Sequence, residues 1–156
     1  MSTQGGVHVV VLTALPVEYD AKRQHLRDHV ACCHRAGTQF EVGTLPDGGR
    51  VAVAELGPGN LGAAVATGHA IELFQPLAIL FVGLAGALHD DLQPGDVVAA
   101  SKVYAYHGGK ATDDNFLARP QAYDGNWGLI QSARAVARPA SRAERTQRPR
   151  EAGCLR

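Results

Sequence analysis

The stretch that decides the fold is Val51 to Leu88, VAVAELGPGNLGAAVATGHAIELFQPLAILFVGLAGAL. Val51 to Leu56 is short, apolar and partly β-branched, the pattern of a buried strand. Gly57-Pro58-Gly59-Asn60 breaks it, and an alanine-rich run follows with Leu61, Val65, Ile71 and Phe74 near helical spacing. Asn60 stands where an N-cap belongs. Pro76 closes the helix, and Leu77 to Val82 is a second unbroken apolar run. Strand, glycine turn, helix and strand predict a βαβ unit, two parallel strands covered on one face. The glycine turn then lies at the carboxyl end of a strand and the start of a helix, where such sheets bind ligands.

Upstream of this unit, Val7 to Thr13 predicts another buried strand. Ala14-Leu15-Pro16 ends it, and Pro16 suits the first turn of a helix that is expected to run through Lys22 towards Leu26 or Val30. Glu18 and Asp20 lie in the first turn, where the helix dipole favours negative charge. A carboxylate one turn into a helix, straight after a buried strand, overlooks the carboxyl edge of the sheet, a place for a catalytic acid or base. The competing reading is a surface glutamate that only complements the dipole.

His25, His29, Cys32, Cys33 and His34 come next. His25 and His29, four apart, would share one helix face, and zinc accepts such ligands. No second cluster with ligand spacing follows, and imidazoles near a helix C-terminus are favourable in any case, so no metal is assigned. Phe40 to Leu45 and Arg50 to Leu56 predict two strands joined by the turn Pro46-Asp47-Gly48-Gly49. Downstream, the small residues Gly83-Leu84-Ala85-Gly86-Ala87 would let backbone approach a ligand closely, or would pack a strand tightly against a helix. Val97 to Ala100 predicts a further buried strand, Val103 to Tyr106 an extended stretch, 107–125 a long loop, and Asn126 to Val136 a short helix.

A length of 156 residues, 46% hydrophobic content and 18 glycines suit one α/β domain. No apolar run reaches the roughly 18 residues of a membrane span, and MSTQGGVHVV lacks the basic start of a signal peptide. The expectation is a soluble, cytoplasmic protein without a membrane partner. Three cysteines, two of them adjacent, do not make a disulfide framework. The formal net charge of zero conceals an asymmetry: Arg134 to Arg156 holds seven arginines against Glu144 and Glu151. Residues 139–156 contain a single leucine, no aromatic and no β-branched apolar residue, so the expectation is a disordered Arg-rich tail after a domain spanning 1–138. With no aromatic to stack on bases, nucleic-acid binding is the weaker reading of that tail. Its Arg, Ala, Pro and Ser bias also resembles out-of-frame translation of a GC-rich gene.

Gly57-Pro58-Gly59-Asn60-Leu61-Gly62 matches G-x-G-x-x-G between a strand and a helix, which invites a dinucleotide-binding Rossmann reading. That reading needs an acid about 20 residues on, at the end of the next strand. The next strand ends Val82-Gly83-Leu84-Ala85, with no acid, and other strands precede the motif. The ensemble points elsewhere. VVVLTALPVEYDA, then VAVAELGPGNLGAAVATGHAI, then LAILFVGLAGALHDDLQPGDVVAASKVYAYHGGK resembles, in order, the nucleoside phosphorylase and nucleosidase superfamily, and most of all its methylthioadenosine/S-adenosylhomocysteine nucleosidase branch.

That resemblance implies an α/β fold, a three-layer sandwich around a mixed, partly barrel-like sheet, of which about Val7 to Arg138 is covered. It implies that Glu18 activates the attacking water. It implies that Leu15 lies near the sugar and its 5′ substituent, that Gly57, Pro58 and Gly59 line the ribose pocket, and that the backbone of Ala85 and Gly86 flanks the purine and sugar. Gly95-Asp96 matches a structural pair. Phosphorylases of the family hold phosphate with a glycine-rich first turn, an arginine and a serine. Here Ala14-Leu15-Pro16-Val17-Glu18, Phe81 and Leu84 stand at those places and lack the charge-assisted donors that a phosphate dianion needs. Hydrolysis of a purine nucleoside or nucleotide, without metal or organic cofactor, is therefore the favoured reading, with phosphorolysis second. A non-catalytic nucleoside-sensing module is the third, and a homodimer or fused regulatory modules are compatible with the intact protein. The family's leaving-group acid and ribose-gripping Met-Glu pair lie in a C-terminal third that nothing after Arg138 resembles. The expectation is thus a domain truncated at its C-terminus, without turnover of its own.

Overall fold

The computed structural model describes residues 6–113 and 115–138. The chain divides into two compact units, Met1–Leu88 and His89–Arg156. The expected tail, 139–156, lies outside the described residues.

The first unit is a five-stranded mixed sheet with the strand order β2-β3-β4-β1-β5. Its elements are β1 (Val9–Thr13), α1 (Pro16–Arg23), β2 (Arg27–Cys33), β3 (Gln39–Thr44), β4 (Arg50–Glu55), α2 (Asn60–Phe74) and β5 (Ala78–Phe81). β1 runs parallel to β4 on one side and to β5 on the other, while β2, β3 and β4 form an antiparallel meander. The βαβ unit expected from Val51 to Val82 is present, but its two strands are not neighbours: β1 lies between them.

Alternation along the strands sorts the core into two layers. Val10, Leu12, Phe40, Val42, Ala52 and Ala54 pack with Ala70 and Phe74 of α2. Val51 and Val53 pack with Leu26, Val9, Val11 and Tyr19 of α1. Helix, sheet and helix make the three layers. Phe40 and Phe74 meet edge to face at 5.2 Å, which fixes the end of α2 over β3. Among the described strands β2 and β5 are the sheet edges, so β5 is only partly buried rather than covered on both faces as its sequence suggests, and Phe81 is exposed.

Four local expectations are corrected. α1 stops at Arg23, and Arg27–Cys33 is a strand that pairs with β3, so His25 and His29 share no helix face. Asp28 takes a positive φ of 52° at the register shift that starts β2. The N-cap of α2 is Gly59, at φ 116°, and Asn60 is the first helical residue. In the second unit Val97 to Ala100 forms no strand, and Val97 is 95% exposed. An apolar run becomes a strand only where a partner supplies the ladder. The stretch 107–125 is not one loop: β6 (Lys102–Ala105) pairs with β9 (Gln121–Asp124), and β7 (Gly109–Ala111) with β8 (Phe116–Ala118). α3 (Trp127–Ala137) starts at Asn126, whose Oδ1 accepts from the Leu129 amide at 3.1 Å. Among the described residues no helix is long and apolar enough to cross a membrane.

Candidate active site

Three parallel strands end on one edge of the first unit. Thr13 of β1 is level with Glu55 of β4, and Leu12 with Phe81 of β5. The ladder continues one step past the strands, with Leu56 N–H donating to Thr13 O at 2.9 Å and Val82 N–H to Leu12 O at 3.0 Å. The segments that leave this edge are Ala14-Leu15, Gly57-Pro58-Gly59 and Gly83 to Gly86. Every residue singled out for substrate contact therefore lies on or just beyond the carboxyl ends of β1, β4 and β5.

Glu18 reaches back to this edge from the first turn of α1. Its Oε2 accepts from the Ala14 amide at 2.9 Å and from the Leu15 amide at 3.0 Å. Its Oε1 accepts from the Leu84 amide at 2.7 Å. The bond from Leu15, the N-cap residue, to Glu18 is the glutamate half of a capping box. The bond from Leu84, 66 residues away, is tertiary. At 6% exposure Glu18 is not the surface glutamate of the competing reading. Leu84 above all, then the Leu15 and Ala14 amides and the charge of Lys22, hold its carboxyl below the ordinary value, while burial pushes the other way. The carboxylate is ionised at neutral pH.

Two residues of this seat were not assigned to Glu18 from sequence. The Leu84 amide supplies the tertiary donor. Gly83 supplies the room: a Cβ there would stand 2.8 Å from Glu18 Oε1 and 3.2 Å from its carboxyl carbon. The run of small residues at 83–87 was legible as a close approach, but at Gly83 the group approached is a protein carboxylate. Leu15 is partly exposed beside the seat, and Ala85 and Gly86 continue from Leu84 as exposed backbone. Gly57 and Gly59, at φ 73° and 116°, make the turn after β4. These residues share the edge with Glu18 through strand topology, and of the segments after β4 and β5 the Gly83-Leu84 pair is the one that touches its carboxylate.

The histidine and cysteine cluster disperses. His29 Nδ1 meets Glu41 Oε1 at 2.6 Å, and its Nε2 faces Leu26 O. His34 instead stacks on His69 of α2 at 3.9 Å, accepts from the Ala36 amide, and has its Nε2 3.2 Å from Glu72 Oε2. Among the described residues no group of three or more His, Cys, Asp or Glu is placed to hold a metal ion.

Comparison with known proteins agrees with this architecture. The model of the phosphorylase superfamily matches residues 8–154. This chain belongs to the phosphorylase superfamily. It is 35% identical, over 95 residues, to the 5′-methylthioadenosine/S-adenosylhomocysteine nucleosidase of Chromohalobacter salexigens, a match covering 61% of this chain and 40% of that relative. Among solved structures it superposes on the nucleosidase of the same description from Colwellia psychrerythraea 34H, in complex with adenine, with a TM-score of 0.72 at 26% identity, covering 88% of this chain and 57% of that one. The nucleosidase of Neisseria meningitidis, bound to methylthio-immucillin-A, gives 0.70 at 26% identity, covering 90% and 60%. The chain thus spans less than two thirds of the length of each of these relatives, and the α/β fold expected from the motifs is the fold of this superfamily.

Proposed function

We propose that this chain supplies the water-handling side of a nucleosidase site that hydrolyses the N-glycosidic bond of a purine nucleoside, with Glu18 as the carboxylate that orients and deprotonates the attacking water. The observation that carries the reading is the seat of Glu18, three backbone N–H groups converging on a buried carboxylate where β1 and β5 end. A carboxylate offers about four acceptor positions. Three are used here, two on Oε2 and one on Oε1, which leaves Oε1 a lone pair for water. The donors are neutral, so the negative charge is fixed in place but not cancelled.

Cleavage of a glycosidic bond passes through an oxocarbenium-like sugar. A resident anion next to that cation lowers its energy. The cation is so electrophilic that water needs little deprotonation before it attacks, which suits a carboxylate held below its ordinary pKa. Leu15, the turn Gly57-Pro58-Gly59, and Ala85-Gly86 are assigned to the walls of the nucleoside pocket on the strength of their place on the same edge. The names of the relatives, and the adenine bound to one of them, support adenine nucleosides with a 5′-thio substituent as the substrate class. Phe81 and Leu84 offer no side-chain donor to a phosphate dianion, which supports hydrolysis over phosphorolysis.

The test is adenine release from methylthioadenosine, measured for the chain and for a chimera that extends it with the C-terminal part of the Chromohalobacter salexigens relative. Turnover by the chimera is expected to fall about 10²-fold or more with Glu18→Gln, the usual size of a general-base contribution. Near-normal turnover in that variant overturns the assignment.

A further inference from the structure

Glu18 is the only buried residue of α1, and it is charged. The rest of this eight-residue helix is too polar to hold itself on the sheet: Val17 is 61% exposed, and only Tyr19 joins the apolar layer beneath. An isolated helix of this length is not stable in water. Something other than apolar burial must set where α1 lies, and with it where the Glu18 carboxylate points.

That something is on β3. The Glu41 side chain, 15% exposed, receives two bonds from α1: Tyr19 Oη donates to its Oε2 at 2.6 Å, and Arg23 Nε donates to the same oxygen at 2.7 Å. Its other oxygen meets His29 Nδ1 of β2 at 2.6 Å. One carboxylate thereby ties α1 to the two outer antiparallel strands. Tyr19 directly follows Glu18, and Arg23 lies four residues beyond Tyr19 on the same helical face. A shift of α1 that lengthened the bonds to Glu41 would also draw Glu18 away from the Leu84 amide.

We propose that Glu41 is a positioning residue for Glu18: by clasping Tyr19 and Arg23 it fixes α1 in the place from which Glu18 reaches Leu84 N–H. Its importance for catalysis rests on the role given to Glu18 above; the mechanical coupling does not. The two fail separately, because the test below reads no activity.

Hydrogen exchange is measured at single-amide resolution on the 156-residue chain and on two variants, Glu41→Gln and Tyr19→Phe. The first removes the charge that pairs with Arg23 and weakens what Tyr19 and His29 bond to; the second removes one hydroxyl and retains the ring. The Leu84 amide is expected to exchange about tenfold faster in each, the size of one lost hydrogen bond to a charged group. The β1 and β4 amides keep their protection, and the carboxyl of Glu18 titrates closer to its ordinary range. Should Glu41→Gln fail to fold, Tyr19→Phe alone decides. Selective loss of protection at Leu84 in either folded variant supports the proposal. Unchanged protection at Leu84, or equal acceleration across β1 and β4, overturns it.

Discussion

Two carboxylates tie α1 to the sheet, one carried by the helix itself and one by β3, and they are held by different means. Glu18 lies on backbone N–H groups at the ends of parallel strands. Glu41 lies among an arginine, a tyrosine and a histidine on antiparallel strands. Both are held below the ordinary carboxylate range, Glu41 to about 2 by Arg23 first, with Tyr19 and His29 adding to it. The consequences differ. Neutral amides orient an anion and leave its charge to act on a ligand. A guanidinium cancels the charge and makes the carboxylate a fastening. In this fold the parallel edge holds an anion whose charge no cation cancels directly, and the antiparallel meander beside it holds one paired with a guanidinium.

The sharpest break of this comparison is exchange of the two glutamates for glutamine. In the chimera described above, Glu18→Gln is expected to abolish most turnover with substrate still bound. Glu41→Gln should lower it less, because it displaces the Glu18 carboxylate without deleting it. Equal losses in the two variants, measured as adenine release at saturating methylthioadenosine, would erase the distinction between them.

Gly83→Ala tests the seat from the other side. The backbone of Gly83 is not in the positive-φ region, so the added methyl acts only by contact with Glu18. Overpacking of this kind costs about 1–3 kcal/mol, read as a lower denaturant midpoint. In a Glu18→Ala background the cost should largely disappear, a non-additivity that marks direct contact.

The pH dependence separates the two sites more gently. Because the folded pKa of Glu41 is lowered from 4.5 to about 2, its contribution is present in full above 4.5 and is lost as pH falls towards 2. Glu18 behaves with the same sign, losing its contribution as pH falls through its own lowered value. Tyr19 has the opposite sign. Burial first, then Glu41, raises it to about 12, so its contribution is present below 10 and lost between there and 12. Denaturant midpoints across pH should show Glu41→Gln removing part of the acid-side loss and softening the alkaline one. An unchanged acid limb in that variant would mean that Glu41 carries no ionic linkage.

The smallest expected effect is none. Adding inorganic phosphate to the chimera should leave the rate and the sugar product unchanged, and a sugar 1-phosphate among the products would reassign the site to phosphorolysis.

The main elements were legible where burial leaves a long signal. Val9–Thr13, Arg50–Glu55 and Ala78–Phe81 are apolar runs, and Asn60–Phe74 is alanine-rich between glycine and proline breakers. Arg27–Cys33 was not legible as a strand, because it is a mostly exposed edge strand whose pattern is set by pairing with β3 rather than by its own alternation. Val97 to Ala100 failed in the opposite way, an apolar run with no ladder among the described residues. At the site, the place of Glu18 after β1 marked it only as a candidate beside the surface-glutamate reading, with its role implied by the family resemblance. Glu41 was not marked at all, since nothing near it in sequence announces Tyr19, Arg23 and His29 as its partners.

By itself the sequence determined that three apolar strands flank a glycine turn and an alanine-rich helix, and that a glutamate follows the first strand by one turn. Those features are local, written in hydrophobic period and breaker residues. Only the tertiary structure decided that β1 separates β4 from β5, that the Leu84 amide meets Glu18 across 66 residues, that Gly83 makes room for it, and that Glu41 holds the helix. The physical reason is that every residue but proline carries the same backbone N–H. Which one a carboxylate finds is therefore set by strand order and register, and leaves no mark on the identity of the residue that donates it.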